Sequence, residues 1–364
     1  MKTLDRYKGC LVGGAAGDAL GFAVEFYDRE TLLKKYGKNG IENYELDAGL
    51  ARISDDTQMT IFTACGLLNA RLNFLETHKY DCYIESIRLA YLDWLKTQTQ
   101  EYPVEDKNCW LLNQKALFTR RYPGFTCITA LKQGGWGTFT RRINNSKGCG
   151  GIMRLAPMGL FFQDLDLKTL ELIGAKSAAL THGHELGYMP CAFLVHVINL
   201  LAHKKQITLI GAIEDAKHKI NIFFKESMHL TYMIDLIDKA IDLSKSNLDD
   251  VDAIDSLGCG WVAEETLAIA IYCSLKYPED FNKALVASVN HKGDSDSTGC
   301  LTGNIMGAYL GYDAIADKYK EKLEFRDILI ELSKDLFYFY NLDKASLKKD
   351  SCYRKKYIDK TFYI

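Results

Sequence analysis

Two short runs of hydroxyl and carboxylate side chains carry the densest chemistry in the chain. They are Ser54-Asp-Asp-Thr57 and Gly293-Asp-Ser-Asp-Ser-Thr-Gly299. Each precedes an apolar stretch of helical character, Met59 to Leu68 and Leu301 to Leu310. Helix capping accounts for one Ser, Thr or Asp per helix, because such a side chain accepts from free backbone N–H groups. Here one run has two adjacent carboxylates, and the other has two carboxylates at i and i+2. Crowded carboxylates repel one another unless a cation lies between them. Hard divalent cations such as Mg²⁺ or Mn²⁺ take carboxylate, hydroxyl and water oxygens. Separate caps and one joint metal site both fit these runs as sequence.

Three further segments could do chemistry. Gly148, Cys149, Gly150 and Gly151 precede a helix-like stretch that contains Arg154. Backbone N–H groups exposed by such glycines can cradle phosphate oxygens. The G-K-[ST] ending of a P-loop is missing, and a plain flexible turn also fits. Glycines at 9, 13, 17 and 21 form a stripe of period four, which permits close helix packing or close approach of a ligand. Their spacing is not G-x-G-x-x-G, and no apolar strand precedes them. Asp18 and Glu25 lie seven apart, so a continuous helix would present both on one face. His182-Gly-His184-Glu185 is not H-E-x-x-H, and no Cys pair supports zinc there. A histidine that caps a helix or touches substrate is the better reading.

The elements that must position these residues are helical. Leu165 to Leu180, Met189 to Leu201, Trp261 to Leu275 and Phe325 to Phe339 have apolar residues at i, i+3, i+4 and i+7. Trp261 to Leu275 is apolar nearly all round, which predicts a central buried helix. Only five prolines occur in 364 residues, and strand-type alternation is scarce. The expectation is an all-α, compact, single-domain orthogonal helical bundle over 1–364, with 312–364 as closing helices bearing a solvated face. With 48% apolar and 25% charged residues and a net charge of −2, the chain has the ordinary globular balance. That charge argues against nucleic-acid binding by bulk phosphate neutralisation. Apolar stretches are interrupted before the roughly 18 residues that a membrane span needs. No targeting segment is read. Eleven cysteines without a C-x-x-C pair suit reduced thiols and a cytoplasmic protein.

Taken in order, the motifs resemble the ADP-ribosylglycohydrolase family, which includes the dinitrogenase-reductase-activating glycohydrolases. The resemblance rests on five matches: Gly13-Gly-Ala-Ala-Gly-Asp-Ala-Leu-Gly21 with Glu25; Ser54-Asp-Asp-Thr57; Gly148-Cys-Gly-Gly-Ile-Met-Arg154; Thr181-His182; and Gly293 to Gly299. They lie within residues 9–311. The resemblance implies an all-α fold with two Mg²⁺ or Mn²⁺ ions in a cleft. It implies hydrolysis of the bond between ADP-ribose and a protein side chain. It implies metal ligands at Ser54, Asp55, Asp56, Asp294, Asp296 and Ser297, and catalytic roles for Glu25, Asp55 and Asp296. Substrate contacts are implied at Gly148, Cys149, Gly150, Gly151 and His182.

One position departs from the family pattern: Cys149 stands where Asn or Ser is frequent. Ser54 and Ser297 replace a frequent Thr and keep its hydroxyl. The expected partner is an ADP-ribosylated protein, most readily one modified on arginine, with an ADP-ribosylating toxin or its target behind it. The insertion Tyr102 to Trp136, with Trp110, Arg120, Arg121 and Tyr122, is a candidate substrate-facing lid. The alternative function is a non-catalytic ADP-ribose binder, or an immunity protein that blocks a toxin by contact.

Overall fold

The computed structural model describes residues 3–364, so Met1 and Lys2 of the polar N-terminal stretch lie outside the described residues. The chain opens with α1 (Thr3–Phe22), α2 (Arg29–Tyr36), α3 (Asp55–Thr77), α4 (Asp81–Thr99) and α5 (Phe125–Lys132). The middle holds α6 (Ala156–Phe161), α7 (Leu167–Ala179), α8 (Glu185–His203), α9 (Leu209–Phe223), α10 (Leu230–Ser244) and α11 (Asp250–Leu257). It closes with α12 (Ala263–Lys276), α13 (Phe281–Val289), α14 (Ser295–Leu310), α15 (Arg326–Phe339), α16 (Lys344–Lys349) and the single turn α17 (Ser351–Tyr353). The only sheet among the described residues is an antiparallel pair, Leu46–Asp47 with Leu50–Ala51. The all-α expectation holds.

The glycine stripe decides the centre of the fold. α1 and α14 make the most extensive helix pair in the molecule. Gly9, Gly13 and Gly17 face Gly307, Gly303 and Gly299, backbone against backbone, and Gly21 faces the backbone of Ser295. A Cβ on Gly17 would lie 1.9 Å from the Gly299 oxygen, and one on Gly303 would lie 2.0 Å from the Gly13 oxygen. Any side chain there would hold the two helices apart. The stripe therefore lets the start of α14 approach Asp18 on α1.

The periodic segments are helical with small shifts of boundary. Ile328, Leu329, Leu332, Leu336 and Phe339 on α15 are buried as the stripe predicts. α12 is buried on nearly every face, but it begins at Ala263. Trp261 stands before it, 44% exposed. α8 differs more from its reading: the helix runs 19 residues and is long and apolar enough to cross a membrane. The interruptions at Gly187 and His196 do not break it, because neighbouring helices enclose it, with 94% of its apolar window buried inside the protein. It packs here as a core helix.

The closing segment is docked more deeply than a solvated face implies. Lys356 is fully buried, with Nζ 2.7 Å from both Glu331 and Asp335. Tyr357 donates to Asp335, and Tyr353 donates to the Leu68 carbonyl at 2.7 Å. The ammonium pairs with both carboxylates of the Glu331–Asp335–Cys352 cluster and supplies its positive charge.

Candidate active site

The two acidic runs begin two helices whose N-termini converge. Ser54 caps α3, its Oγ accepting from Asp56 N at 3.2 Å. Asp294 caps α14, its Oδ1 accepting from Ser297 N at 3.2 Å. Across the gap Ser297 Oγ donates to Asp56 Oδ2 at 2.8 Å, which ties the two helix starts together. Asp18 completes the frame from α1. Its two oxygens accept from Ser54 N at 2.8 Å and Thr57 N at 3.0 Å, and it has no exposure to solvent. One carboxylate thus holds the first turn of α3 against α1.

Glu25 does not share a helix face with Asp18, because α1 ends at Phe22. The turn that follows carries Glu25 to the same cluster instead. Its carboxylate lies with those of Asp294 and Asp296, with one oxygen from each inside a 4.8 Å span. Glu25 is 9% exposed, and its Oε2 has no hydrogen-bond partner.

A cleft of about 210 Å³ opens over these groups. Glu25, Asp55, Asp56, Asp294, Asp296 and Ser297 form its acidic side, and Gly148, Cys149, Gly150 and His182 line the other side. Ser54 and Gly151 lie behind this surface: the first is turned into its cap, the second packed at the Gly187 carbonyl. A larger hollow of about 1000 Å³ between residues 100–119 and 321–328 contains none of the motif residues.

Burial and mutual repulsion set the electrostatics. Burial first, then Asp296, raises Asp18 to about 7. Burial, Asp296, Asp55 and Asp18 raise Glu25 to about 9. Asp55, Asp56 and Asp294 are pushed well above the carboxylate range, again chiefly by burial. Among the described residues no Lys or Arg side chain lines this cleft. A converging set of carboxylate and hydroxyl oxygens, with an unpartnered buried Glu25 oxygen among them and no cationic side chain beside them, fits hard divalent cations.

The glycine segment is a 3₁₀ turn over Cys149–Gly151 rather than an open loop. Two of its N–H groups are already engaged: Gly148 N donates to Ser146 Oγ at 3.2 Å and Cys149 N to the Trp261 carbonyl at 3.2 Å. The cause is a short antiparallel contact between Gly148 and Val262, extended by Ala263 N donating to the Lys147 carbonyl. Lys147 is also ion-paired with buried Glu264. The cradle expected from sequence is therefore narrower than four free N–H groups.

Beneath the turn Arg154 is fully buried, 4.2 Å from the Tyr91 ring centroid. It donates to Thr181 Oγ1 at 2.7 Å. The Thr181 hydroxyl also lies 2.9 Å from His182 Nδ1, nearer than its other partner, the Ala178 carbonyl at 3.5 Å. When that hydroxyl donates to Nδ1, the neutral ring carries its proton on Nε2, the end that faces Gly148 and Gly150. Burial and Arg154 lower His182 to about 3, so the ring is neutral at ordinary pH. His184 serves as the α8 cap instead, accepting from Leu186 N at 3.0 Å.

The ADP-ribosylglycohydrolase family model matches residues 1–345. The chain belongs to that family. The human ADP-ribosylhydrolase ARH3 is 23% identical over 350 residues, covering 89% of this chain and 90% of the human protein. The ADP-ribosylarginine hydrolase Tri1 of Serratia proteamaculans is 25% identical, covering 93% and 80%. A solved structure titled ADP-ribosylglycohydrolase-related protein complex superposes with a TM-score of 0.55 at 19% identity, over 93% of this chain and 99% of that one. That likeness supports the fold.

Only part of the insertion reaches the cleft of this ADP-ribosylglycohydrolase. Trp110 is buried against Phe362, and Arg121 pairs with Glu324. Trp136 lies under the Arg88 guanidinium, on the outer side of α4. Tyr122 and the start of α5, Gly124 to Cys127, are the segment that arrives, with Gly124 N donating to Asp55 Oδ2 at 3.1 Å. Tyr122 and Trp261 both pack on Phe26 at the mouth. Sequence reasoning did not assign Asp18, Phe26 or Trp261 to the site. Asp18 sat inside a quoted motif, and only its two backbone partners reveal its role. Nothing in the sequence brings Trp261 beside Phe26.

Proposed function

We propose that this glycohydrolase is a divalent-cation-dependent enzyme that removes ADP-ribose from modified protein side chains, arginine foremost. The observation that carries this reading is the single cleft shared by six oxygen-bearing side chains and the Gly148–Gly150 turn. Asp55, Asp56, Asp294, Asp296 and Ser297 would hold two Mg²⁺ or Mn²⁺ ions, with Glu25 beside them. Such ions polarise ribose hydroxyls and lower the pKa of bound water.

The protein's own groups do the rest. The reaction breaks the bond from ribosyl C1 to the acceptor atom, forms a bond from C1 to a water oxygen, and returns a proton to the acceptor. Glu25 Oε2 is placed to hold and move that proton, because it is the one cleft carboxylate oxygen buried without a partner. Asp18 acts through α3, by fixing the turn that presents Asp55 and Asp56. The remaining N–H groups of the 149–151 turn and His182 Nε2–H are donors suited to diphosphate or ribose oxygens. Phe26, Tyr122 and Trp261 screen the mouth from water.

An acidic cleft without a lysine or arginine in its lining attracts a cationic acceptor, which favours a guanidinium over a neutral serine O-glycoside. The name of the Tri1 relative agrees with this preference. Eleven unpaired cysteines support a cytoplasmic setting. The test is product analysis by mass spectrometry on arginine- and serine-ADP-ribosylated peptides, with Mg²⁺ or with EDTA. Metal-dependent release of intact ADP-ribose, faster from the arginine peptide, is expected. Release of AMP, or equal release in EDTA, refutes the reading.

A further inference from the structure

A second hollow lies at the far end of α3 from the acidic cleft, where Arg71 stands about 24 Å from Asp55 along the helix axis. The hollow holds about 410 Å³ and shares no lining residue with the cleft. Its wall is aromatic: Phe74, Tyr80, Tyr83, Phe162 and Tyr340 surround the Arg71 guanidinium. The guanidinium carbon stands 4.6 Å from the Tyr340 ring centroid and 5.8 Å from that of Phe74. Phe74 in turn packs on Tyr80 at 4.9 Å and on Tyr83 at 5.2 Å.

The polar groups of this hollow are left unmet. Arg71 is 8% exposed, yet among the described residues it makes no ion pair. Its one hydrogen bond there runs from Nη2 to the Tyr340 carbonyl and uses one of five N–H donors. Arg71 Nε–H is buried without a partner. Tyr83 has no exposure to solvent, and its hydroxyl is also buried without a partner. Burial raises the Tyr83 phenol well above its ordinary value, and the nearby Arg71 charge opposes that shift, so the two groups face the same space. Buried cations are ordinarily paired and buried donors ordinarily satisfied, because water no longer solvates them.

We propose that this hollow binds a small aromatic carboxylate. The carboxylate accepts from Arg71 Nε–H and Tyr83 O–H, which meets both buried donors and gives the guanidinium its counter-charge. The ring lies among Phe74, Tyr80 and Tyr340, which offer it apolar faces and edges. Charge selects a carboxylate over a phosphoryl group. The C-caps of α3 and α15, His78 and Tyr340, both line the hollow, so two helices point their negative ends at it. Asp164, which accepts from the Tyr340 hydroxyl, adds a further negative charge at the rim. A monoanion meets less repulsion there than a dianion. The volume falls in the range of small-molecule sites. This site is independent of the ADP-ribose reading of the acidic cleft.

The test is calorimetric titration of the full-length protein with benzoate in EDTA, with acetate and phenyl phosphate as comparison probes. Benzoate should bind saturably at one site, with a midpoint of about 1 mM or lower. Acetate should bind at least about tenfold more weakly, for want of the ring, and phenyl phosphate should also bind more weakly. Tyr83→Phe keeps the ring and removes the hydroxyl, and it should weaken benzoate about tenfold; Arg71→Met should weaken it further. Circular dichroism and thermal unfolding report the fold of each variant, and Tyr83→Phe carries the test if Arg71→Met does not fold. Benzoate should raise Tm in wild type, and at the same concentration should raise it less in the folded variants. No saturable benzoate binding, or benzoate affinity unchanged in Tyr83→Phe or in folded Arg71→Met, overturns the proposal. Acetate binding as tightly as benzoate, or phenyl phosphate binding more tightly, overturns the aromatic carboxylate as its ligand.

Discussion

Replacing Gly303 by alanine tests whether the α1–α14 contact positions the acidic cluster. The added Cβ would start 2.0 Å from the Gly13 oxygen and 2.5 Å from the Gly13 carbon, against an ordinary contact that begins at 3.4 Å. The obstacle is backbone on both helices, so no side chain can swing away. Relief requires the helices to part by 3.4 − 2.0, about 1.4 Å. Overpacking of this kind costs about 1–3 kcal/mol. At roughly 2 °C per kcal/mol for a chain of this size, Tm should fall by about 2–6 °C. The functional effect should be larger. α14 carries Asp294, Asp296 and Ser297 at its start, and α1 carries Asp18, which holds α3. A shift of about 1 Å between them moves the two halves of the site apart, and misplacement on that scale costs about 100-fold in rate. The assay pairs calorimetry with Mg²⁺ titration and turnover. Gly124→Ala is the stability control, since a Cβ there meets nothing within 4 Å. Gly303→Ala with Tm, Mg²⁺ affinity and turnover all at wild-type values would refute the positioning argument.

Asp55→Ala and Asp296→Ala should each abolish metal-dependent turnover and Mg²⁺ binding by calorimetry while leaving the far-ultraviolet circular dichroism intact; unchanged turnover in either refutes their assignment. Without metal, the protein should gain stability as pH is lowered. Glu25 at about 9 and Asp18 at about 7 lie above their unfolded values of 4.5 and 3.8, so the folded state binds the extra protons. Their contribution is full below about 4 and is lost as pH rises through about 7 and about 9. Tm in EDTA from pH 6 to 9 should therefore fall, and saturating Mg²⁺ should flatten the slope; a rising Tm in EDTA contradicts the sign. His182 lies at about 3, so the pH–rate profile should contain no inflexion near 6.5 from this ring, and His182→Gln should lower kcat/KM without changing the profile's shape. Lys147→Met leaves Glu264, 1% exposed, without its cation and should destabilise by about 3 kcal/mol, read by denaturant unfolding.

Much of the site is legible because its chemistry is local in sequence. Two helix starts each hold both the residues that cap and the residues that face the cleft, so Asp55, Asp56, Asp294, Asp296 and Ser297 announce themselves as dense runs. The stripe at 9, 13, 17 and 21 shows close packing to be available, because only glycine leaves that face of a helix bare. The periodic segments give their helices for the same reason: burial imposes a 3.6-residue period whatever the partner.

Other residues take their roles from contacts distant in sequence. Asp18 works through Ser54 and Thr57, 36 and 39 residues away, and nothing near Asp18 marks those partners. Glu25 reaches the cluster through the turn after Phe22, which a continuous-helix reading cannot show. Gly148 and Cys149 lose free N–H groups to Ser146 and to a strand-like contact with residues 261–263, more than a hundred positions on. Tyr102 to Trp136 divides into a buried part, an outer part and the short 122–127 reach to the cleft. The sequence by itself determined an all-helical chain, the paired acidic helix starts and the family. The tertiary structure alone decided which of those residues share one cleft, because that depends on the α1–α14 approach and on the burial that raises the carboxylates together.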